Sequence, residues 1–448
     1  MSQKNDTSTG LPILPKSLIW MINFGFLGVQ TAFTLQSSQM SRIFQTIGAD
    51  PNNLGWFFIL PPLAGLIVQP IIGYYSDRTW APKLGGRRLP YLLLGTVVAV
   101  IVMLLLPNSG SFGFGYGSLA ALWFGAITVA FLDLSSNVAM QPFKMMVGDM
   151  VNDDQKSYAY GIQSFLSNTG AVLAAVFPFL LTMFGVPNTD KKGVVPQSVV
   201  ISFYVGAALL VITSLFTVLR VHEYDPATYA KYHGISEQDN KEGGNWFTLL
   251  RHAPKAFWTV TLVQFFCWFA FQYLWTYSVG AIANNVWGTT NASSAGYQAA
   301  GNWYGVLAAV QSIAAVVWSY VLAKVPNKDH KLGYAGSLLL GAIGFLSVFF
   351  IHSQSALVFS FILVGIAWAA MNTYPLTIVT NALSGKHMGT YLGLFNGSIC
   401  FPQIVASLLS FSLFPLLGHS QAHMFIFAGI IMVLAGLSVS AIHETYVK

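Results

Sequence analysis

Long apolar runs, each closed by a short polar or Gly/Pro/Asn-rich break, repeat from end to end of this chain. Between those breaks the pattern predicts helices over 17–47, 53–76, 89–106, 118–148, 157–184, 197–220, 254–283, 300–323, 332–351, 355–382, 388–415 and 420–442, twelve in all. No Asp, Glu, Lys or Arg interrupts 89–132, 256–323, 332–385 or 388–442. Each of these stretches has room for two helices of the roughly 20 residues that a bilayer demands. The runs lack the alternation of barrel strands, and only helices or closed barrels satisfy their backbone groups in lipid. An all-α, multi-pass protein of the cell membrane is expected, with the lipid bilayer as its surroundings.

Of the 21 Lys and Arg residues, all but Lys191, Lys192 and Arg42 face the cytoplasm if the N-terminus does, so the positive-inside rule places both termini there. That distribution explains the formal net charge of +6 without a nucleic-acid partner. The longest polar stretch, 222–252, reads as a cytoplasmic linker between a six-helix half at 1–221 and a second at 253–448. The halves echo one another: Pro142, Asp149 and Gly161 recur as Pro375, Asn381 and Gly393, at an offset close to half the chain. The first sixteen residues are too short of apolar length for a signal-peptide core, so the first membrane helix is expected to direct insertion.

Composition then removes several classes of function. Only 8% of the 448 residues are charged, against roughly a quarter in soluble domains, which excludes a soluble globular protein. Cys267 and Cys400 lie deep in apolar runs and read as small buried hydrophobes rather than a disulfide or metal pair. No GxxxxGK[ST] loop occurs, so the chain is not expected to use ATP directly, and nothing points to a cofactor or metal.

Against that background FLDLSSNVAMQPFKMMVGDM, Phe131 to Met150, places polar groups in a membrane helix. Asp133 is the only carboxylate set deep in a span, where a charge costs about 2.5–3.5 kcal/mol and so needs a reason. Helical geometry puts Asn137, Gln141 and Lys144 within about 80° of it, on one face that should line a watery path. A carboxylate balanced between burial and a nearby cation can bind and release a proton in one cycle. Arg42 in the first helix is a possible partner, and a permanent structural ion pair is the alternative reading. Lys144 falls near the cytoplasmic rim, where a snorkelling side chain is the simpler reading. The second half has no charge in its spans but offers Gln264, Trp268, Gln272 and Trp275 at helical spacing, with Trp368 and Asn372. Together with Gln36 and Gln39 of the first helix, these amides and flat rings suit a neutral polyhydroxyl substrate. Any single Trp could instead be an interface anchor.

The second and third helices are joined by GYYSDRTWAPKLGGRRLP. Gly73 permits close packing, and Asp77, Arg78, Arg87 and Arg88, with Asp149, read as a charge latch that holds one end shut during alternating access. GYYSDR followed by GRRLP resembles the major facilitator superfamily in its sucrose-transporter branch: plant sucrose–proton symporters, animal proton-associated sugar transporters and bacterial relatives. The likeness extends through LQSSQMSRIFQTIGA, LVQPIIGYYSDR, FLDLSSNVAMQPFKMMVGDM, QFFCWFAFQYLW, GIAWAAMNTYP and MGTYLGLFNGSICFPQIVAS. It implies a monomeric symporter of two six-helix halves that carries a disaccharide of the sucrose or maltose type near the midplane, with a proton as coupling ion. By position Asp133 matches the proton-coupling aspartate, Asn137 the sugar-contacting asparagine one turn later, and Asp149 the acid at the cytoplasmic helix end. The chain departs from plant members at Ser278, Gly280 and Asn285, where they carry acidic residues, and at Arg42, where they carry proline. Gln141 stands where bacterial members often have glutamate, and Leu89 replaces the last arginine of the loop motif. Two rivals remain: a proton-driven exporter of small hydrophobic compounds in the same fold, which the amide-rich centre disfavours, and a membrane enzyme, which needs loop-face acidic or metal-binding clusters that the sequence lacks.

Overall fold

In the computed structural model, which describes residues 11–233, 250–322, 330–382 and 388–442, every apolar run is helical. The helices are α1 Lys16–Thr46, α2 Leu60–Arg78, α3 Leu89–Leu105, α4 Leu119–Met150, α5 Asp153–Met183, α6 Gln197–Arg220, α7 Lys255–Trp287, α8 Ala295–Leu322, α9 His330–Phe350, α10 Leu357–Ala382, α11 Met388–Leu416 and α12 Gln421–Ser438. Among the described residues there are twelve helices or helical stretches long and apolar enough to cross a membrane. Their ends follow local chemistry. Ser118 accepts the Ala121 N–H at 3.1 Å to start α4, Ser420 accepts that of His423 at 3.3 Å to start α12, and Gly288, at φ 62°, stops α7. Of the 222–252 linker, the structure describes a short helix at Pro226–His233 and the residues from Leu250 on; the part between lies outside the described residues.

The second run departs from its expected single helix. A turn at Pro51–Asn53 and a short helix Leu54–Phe58 precede α2. The break follows from Pro61 and Pro62: a proline has no N–H, so Pro62 leaves the Phe58 carbonyl without its helical donor. Gln272 of α7 supplies that donor, its Nε2 lying 2.7 Å from the Phe58 oxygen. A local defect of one half thus becomes a bond to the other.

Packing repeats with a shift of six helices. In the first half α1 lies against α5 and α6, α3 against α4 and α6, and α2 against α4; in the second α7 lies against α11 and α12, α9 against α10 and α12, and α8 against α10. These are the two six-helix halves, and they meet chiefly through α5 with α8 and α2 with α11. Small residues set the closest approaches within a half. A side chain at Gly28 of α1 would collide with Thr213 and the Leu210 backbone of α6, and the nearby Gly25 N–H donates to Thr217 Oγ1 at 2.9 Å.

Apart from the Gln272–Phe58 bond, the hydrogen bonds joining described residues of the two halves lie near the Thr46 end of α1. Ser41 Oγ donates to the Thr276 carbonyl at 2.7 Å, Gln298 Nε2 to Thr46 Oγ1 at 2.9 Å, and Asn302 Nδ2 to Thr182 Oγ1 at 2.7 Å. Gln45 and Gln421 exchange bonds at 3.4 and 3.0 Å. Trp56 packs against Phe411, ring centroids 4.8 Å apart and planes tilted by 37°, at the same end. This polar and aromatic seal closes the space between the halves toward the Thr46 face.

Candidate functional site

Beneath the seal lies a cavity of about 440 Å³ lined by both halves, a size within the range of small-molecule sites. Asp133 is its only charged lining residue among those described. The side chains of α4 divide by environment: Phe131 is 51% exposed on the outer surface, while Asp133, two residues on, is 2% exposed and faces the interior. Its Oδ1 accepts from Gln36 Nε2 at 3.3 Å and its Oδ2 from Asn137 Nδ2 at 2.9 Å. Asn137 Nδ2 also reaches the Asp133 carbonyl at 2.9 Å, as the one-turn spacing allows. The carboxylate is therefore held by neutral amides, and the Gln36 Oε1 beside it has no partner.

The facing wall is aromatic. Trp268 and Trp275 of α7 and Trp368 of α10 form a cluster, with centroid separations of 5.6 Å between Trp268 and Trp368 and 6.1 Å between Trp275 and Trp368. The Trp268 Nε1–H is buried without a partner. Gln272, bonded to the Phe58 carbonyl and to Ser407 Oγ at 2.8 Å, completes this wall. The cavity is thus lined by flat rings, amides and one carboxylate, and two of its lining residues, Trp268 and Gln36, each keep a buried donor or acceptor without a partner.

Of the expected site residues, Asp133, Gln36, Asn137, Trp268, Gln272 and Trp368 line this cavity. Five others do not in this conformation. Gln39 is fully buried and accepts from Arg42 Nη1 at 3.3 Å. Gln264 donates to the Met371 carbonyl at 3.2 Å, inside the second half. Asn372 is exposed and donates to the Trp368 carbonyl at 2.7 Å. Gln141, two turns below Asp133, lies beyond the lining, as does the exposed Lys144, because helical angle fixes direction and not depth. Arg42 does not pair with Asp133. Its guanidinium donates from Nε to Gln298 at 2.6 Å, from Nη1 to Asn302 at 2.7 Å and from Nη2 to Asn188 at 2.8 Å, within the seal. Lining groups that the sequence reading did not single out include Gln30, Asn168, Gln311, Asn396 and Gln403. Only Gln30 is within two helical turns of an expected lining position, Gln36; the other four are on α5, α8 and α11, which carried no expected substrate contact.

The expected charge latch is partly assembled. Arg87 Nη2 and Arg88 Nε meet Asp149 Oδ2 at 3.2 and 3.0 Å. Tyr229 of the linker helix donates to Asp149 Oδ1 at 3.2 Å, and its ring lies 3.7 Å beneath the Arg87 guanidinium. Glu223 Oε1 accepts the Arg88 and Leu89 N–H groups at 2.7 and 3.0 Å and so caps α3, while burial pushes its carboxyl above the usual range. The side chains of Gly73, Asp77 and Arg78 lie outside the described residues. The described contacts bind α3, α4 and the linker, all on one side of the molecule, so in this conformation they brace the first half. The bonds between halves are at the opposite end. Among the described residues no three His, Cys, Asp or Glu side chains gather into a metal-holding group.

Two six-helix repeats enclosing a central, sealed polar cavity define a polytopic transporter. The chain belongs to the Major Facilitator Superfamily, whose profile matches residues 22–407. It is 24% identical over 413 residues to the sucrose transport protein SUC4 of Arabidopsis thaliana, covering 85% of this chain and 81% of that protein. A similar likeness, 24% over 441 residues, holds to the sucrose transport protein SUT5 of Oryza sativa subsp. indica, covering 85% and 79%. A crystal structure of the nucleoside transporter NupG superposes with a TM-score of 0.65 at 13% identity, covering 96% of this chain and 99% of that one. The protein is a multi-pass membrane transporter and not an enzyme.

Proposed function

We propose that this protein imports a disaccharide of the sucrose or maltose type together with a proton, by rocking its two halves about the central cavity. The observation that carries the reading is Asp133: among the described residues, the single carboxylate of an otherwise uncharged cavity, held by the amides of Gln36 and Asn137 and facing three tryptophans. The amides and rings suit hydroxyls and the C–H faces of a sugar, and the carboxylate suits a proton. Resemblance to sucrose transport proteins along 85% of the chain supports the substrate class. The excess of Lys and Arg on the loops of the Lys16 face supports a cytoplasmic location for that face. The sealed Thr46 end then makes this the inward-facing form, with the release path toward the cytoplasm. Purified protein in proteoliposomes should accumulate labelled sucrose or maltose when the medium is acidified relative to the lumen. No accumulation of any disaccharide, or uptake that follows sodium and ignores pH, would overturn the reading.

A further inference from the structure

Arg42 is the only cation among the described residues of the seal, and its position is highly constrained. It is fully buried on α1, and its oxygen partners are all neutral: Gln39 on its own helix, Asn188 in the loop after α5, and Gln298 and Asn302 on α8 of the other half. The second end of several of these amides is also engaged. Gln298 Nε2 donates to Thr46 Oγ1 and to the Ala292 carbonyl at 2.6 Å, Asn302 Nδ2 donates to Thr182 Oγ1, and Asn188 Oδ1 also accepts from Ser198 Oγ at 2.7 Å. With their N–H groups used this way, Gln298 and Asn302 can present only oxygen to the guanidinium, a group that donates and never accepts. Gly301 lies between those two on α8, and a Cβ there would stand 2.6 Å from Arg42 Cδ. A glycine is what lets the side chain cross the interface.

We propose that Arg42 is the pin of the gate at the Thr46 end: its release from Gln298 and Asn302 is the step that opens the cavity to that face. The pin therefore sets the balance between the two access states without touching substrate. The choice of partners fits a bond that must break in every cycle. A carboxylate in so dry a site would hold the guanidinium tightly, whereas amide oxygens compensate it only in part, and water entering the open gate would solvate it again. Two charge-assisted bonds across the interface are enough to favour the closed form and weak enough to be undone. This inference rests on the alternating-access part of the proposed function and not on the identity of the substrate.

The test reads access directly. Met40 lines the cavity next to the seal and is 2% exposed, so a Met40→Cys reporter in a Cys267→Ala, Cys400→Ser background reports access from either face. A membrane-impermeant maleimide is applied to right-side-out and inside-out vesicles, without sugar or gradient. The parent reporter should react mainly from the Lys16 face. Arg42→Met should raise its rate from the Thr46 face about tenfold or more, the worth of losing hydrogen bonds to a charged group, and lower it from the Lys16 face. The double variant Gln298→Ala with Asn302→Ala breaks the same bonds while keeping the cation, and should do likewise; it decides the matter if Arg42→Met misfolds. No acceleration in the double variant, or an equal rise on both faces, overturns the proposal. Because the assay contains no substrate, a negative disaccharide screen leaves its outcome unaffected, and the reverse holds too.

Discussion

Asp133→Asn replaces the one carboxylate among the described lining residues of the cavity by an amide of nearly the same size. With one proton carried per sugar, a pH difference of one unit supplies about 1.4 kcal/mol, enough for about tenfold accumulation. The asparagine cannot take up the proton, so in proteoliposomes with equal potassium and an ionophore on both sides the internal-to-external ratio should fall to one. Sugar exchange should survive. The new amide nitrogen would face either Gln36 Nε2 or Asn137 Nδ2, donor against donor, a mismatch of about 1–3 kcal/mol if left standing. Gln36 can repair it by turning its amide over, because its Oε1 has no present partner to lose. Counterflow of labelled sugar should therefore remain within about tenfold of the parent rate, a change of about 1 kcal/mol. Tenfold accumulation persisting in the Asn variant would refute the assignment of the proton to Asp133.

Further outcomes follow from neighbouring contacts. Trp268→Phe keeps an apolar ring but removes the unpartnered indole N–H, so KM for sugar should rise several-fold, by about 1 kcal/mol of binding, with little change in kcat; an unchanged KM would remove that N–H from sugar contact. Asp149→Ala removes the carboxylate that both Arg87 and Arg88 meet, in a site where Arg88 is 5% exposed, and should cost about 3 kcal/mol, read as a lowered Tm in detergent. Glu223→Gln keeps an acceptor for the α3 cap but cannot ionise. Because burial raises the folded pKa of Glu223, the parent should lose Tm relative to the Gln variant as pH rises from the ordinary glutamate value of 4.5 through the raised one. A Tm difference that stays flat with pH would refute the raised pKa.

The sequence disclosed the helices because a bilayer imposes both length and apolarity on each, and the structural runs start and stop within a few residues of the apolar pattern. Asp133 and Asn137 were legible as a pair because one helical turn brings them together whatever the tertiary context. Other site residues depended on context that no periodicity encodes. Gln264 and Asn372 share spacing with the cavity tryptophans, yet one bonds within its own half and the other is exposed. The partners of Arg42 are up to 260 positions away, and a glycine between two of them clears its path. The split of the second run was written in Pro61 and Pro62, but the use of the freed Phe58 carbonyl required Gln272 from the other half.

The neutral company of Asp133 has an electrical consequence. With no cation among the described residues that line its cavity, the site is uncharged when it carries a proton and a sugar, and negative when it is empty and ionised. Under the proposed cycle the loaded carrier would cross without feeling the membrane voltage. The empty carrier, returning to face outward, would move a negative charge in the direction that an inside-negative potential favours, with up to about 2.3 kcal/mol available per 100 mV. Voltage would then speed the reset of the carrier rather than the passage of its cargo, and sugar import would register as an inward current limited by the return of the unloaded site.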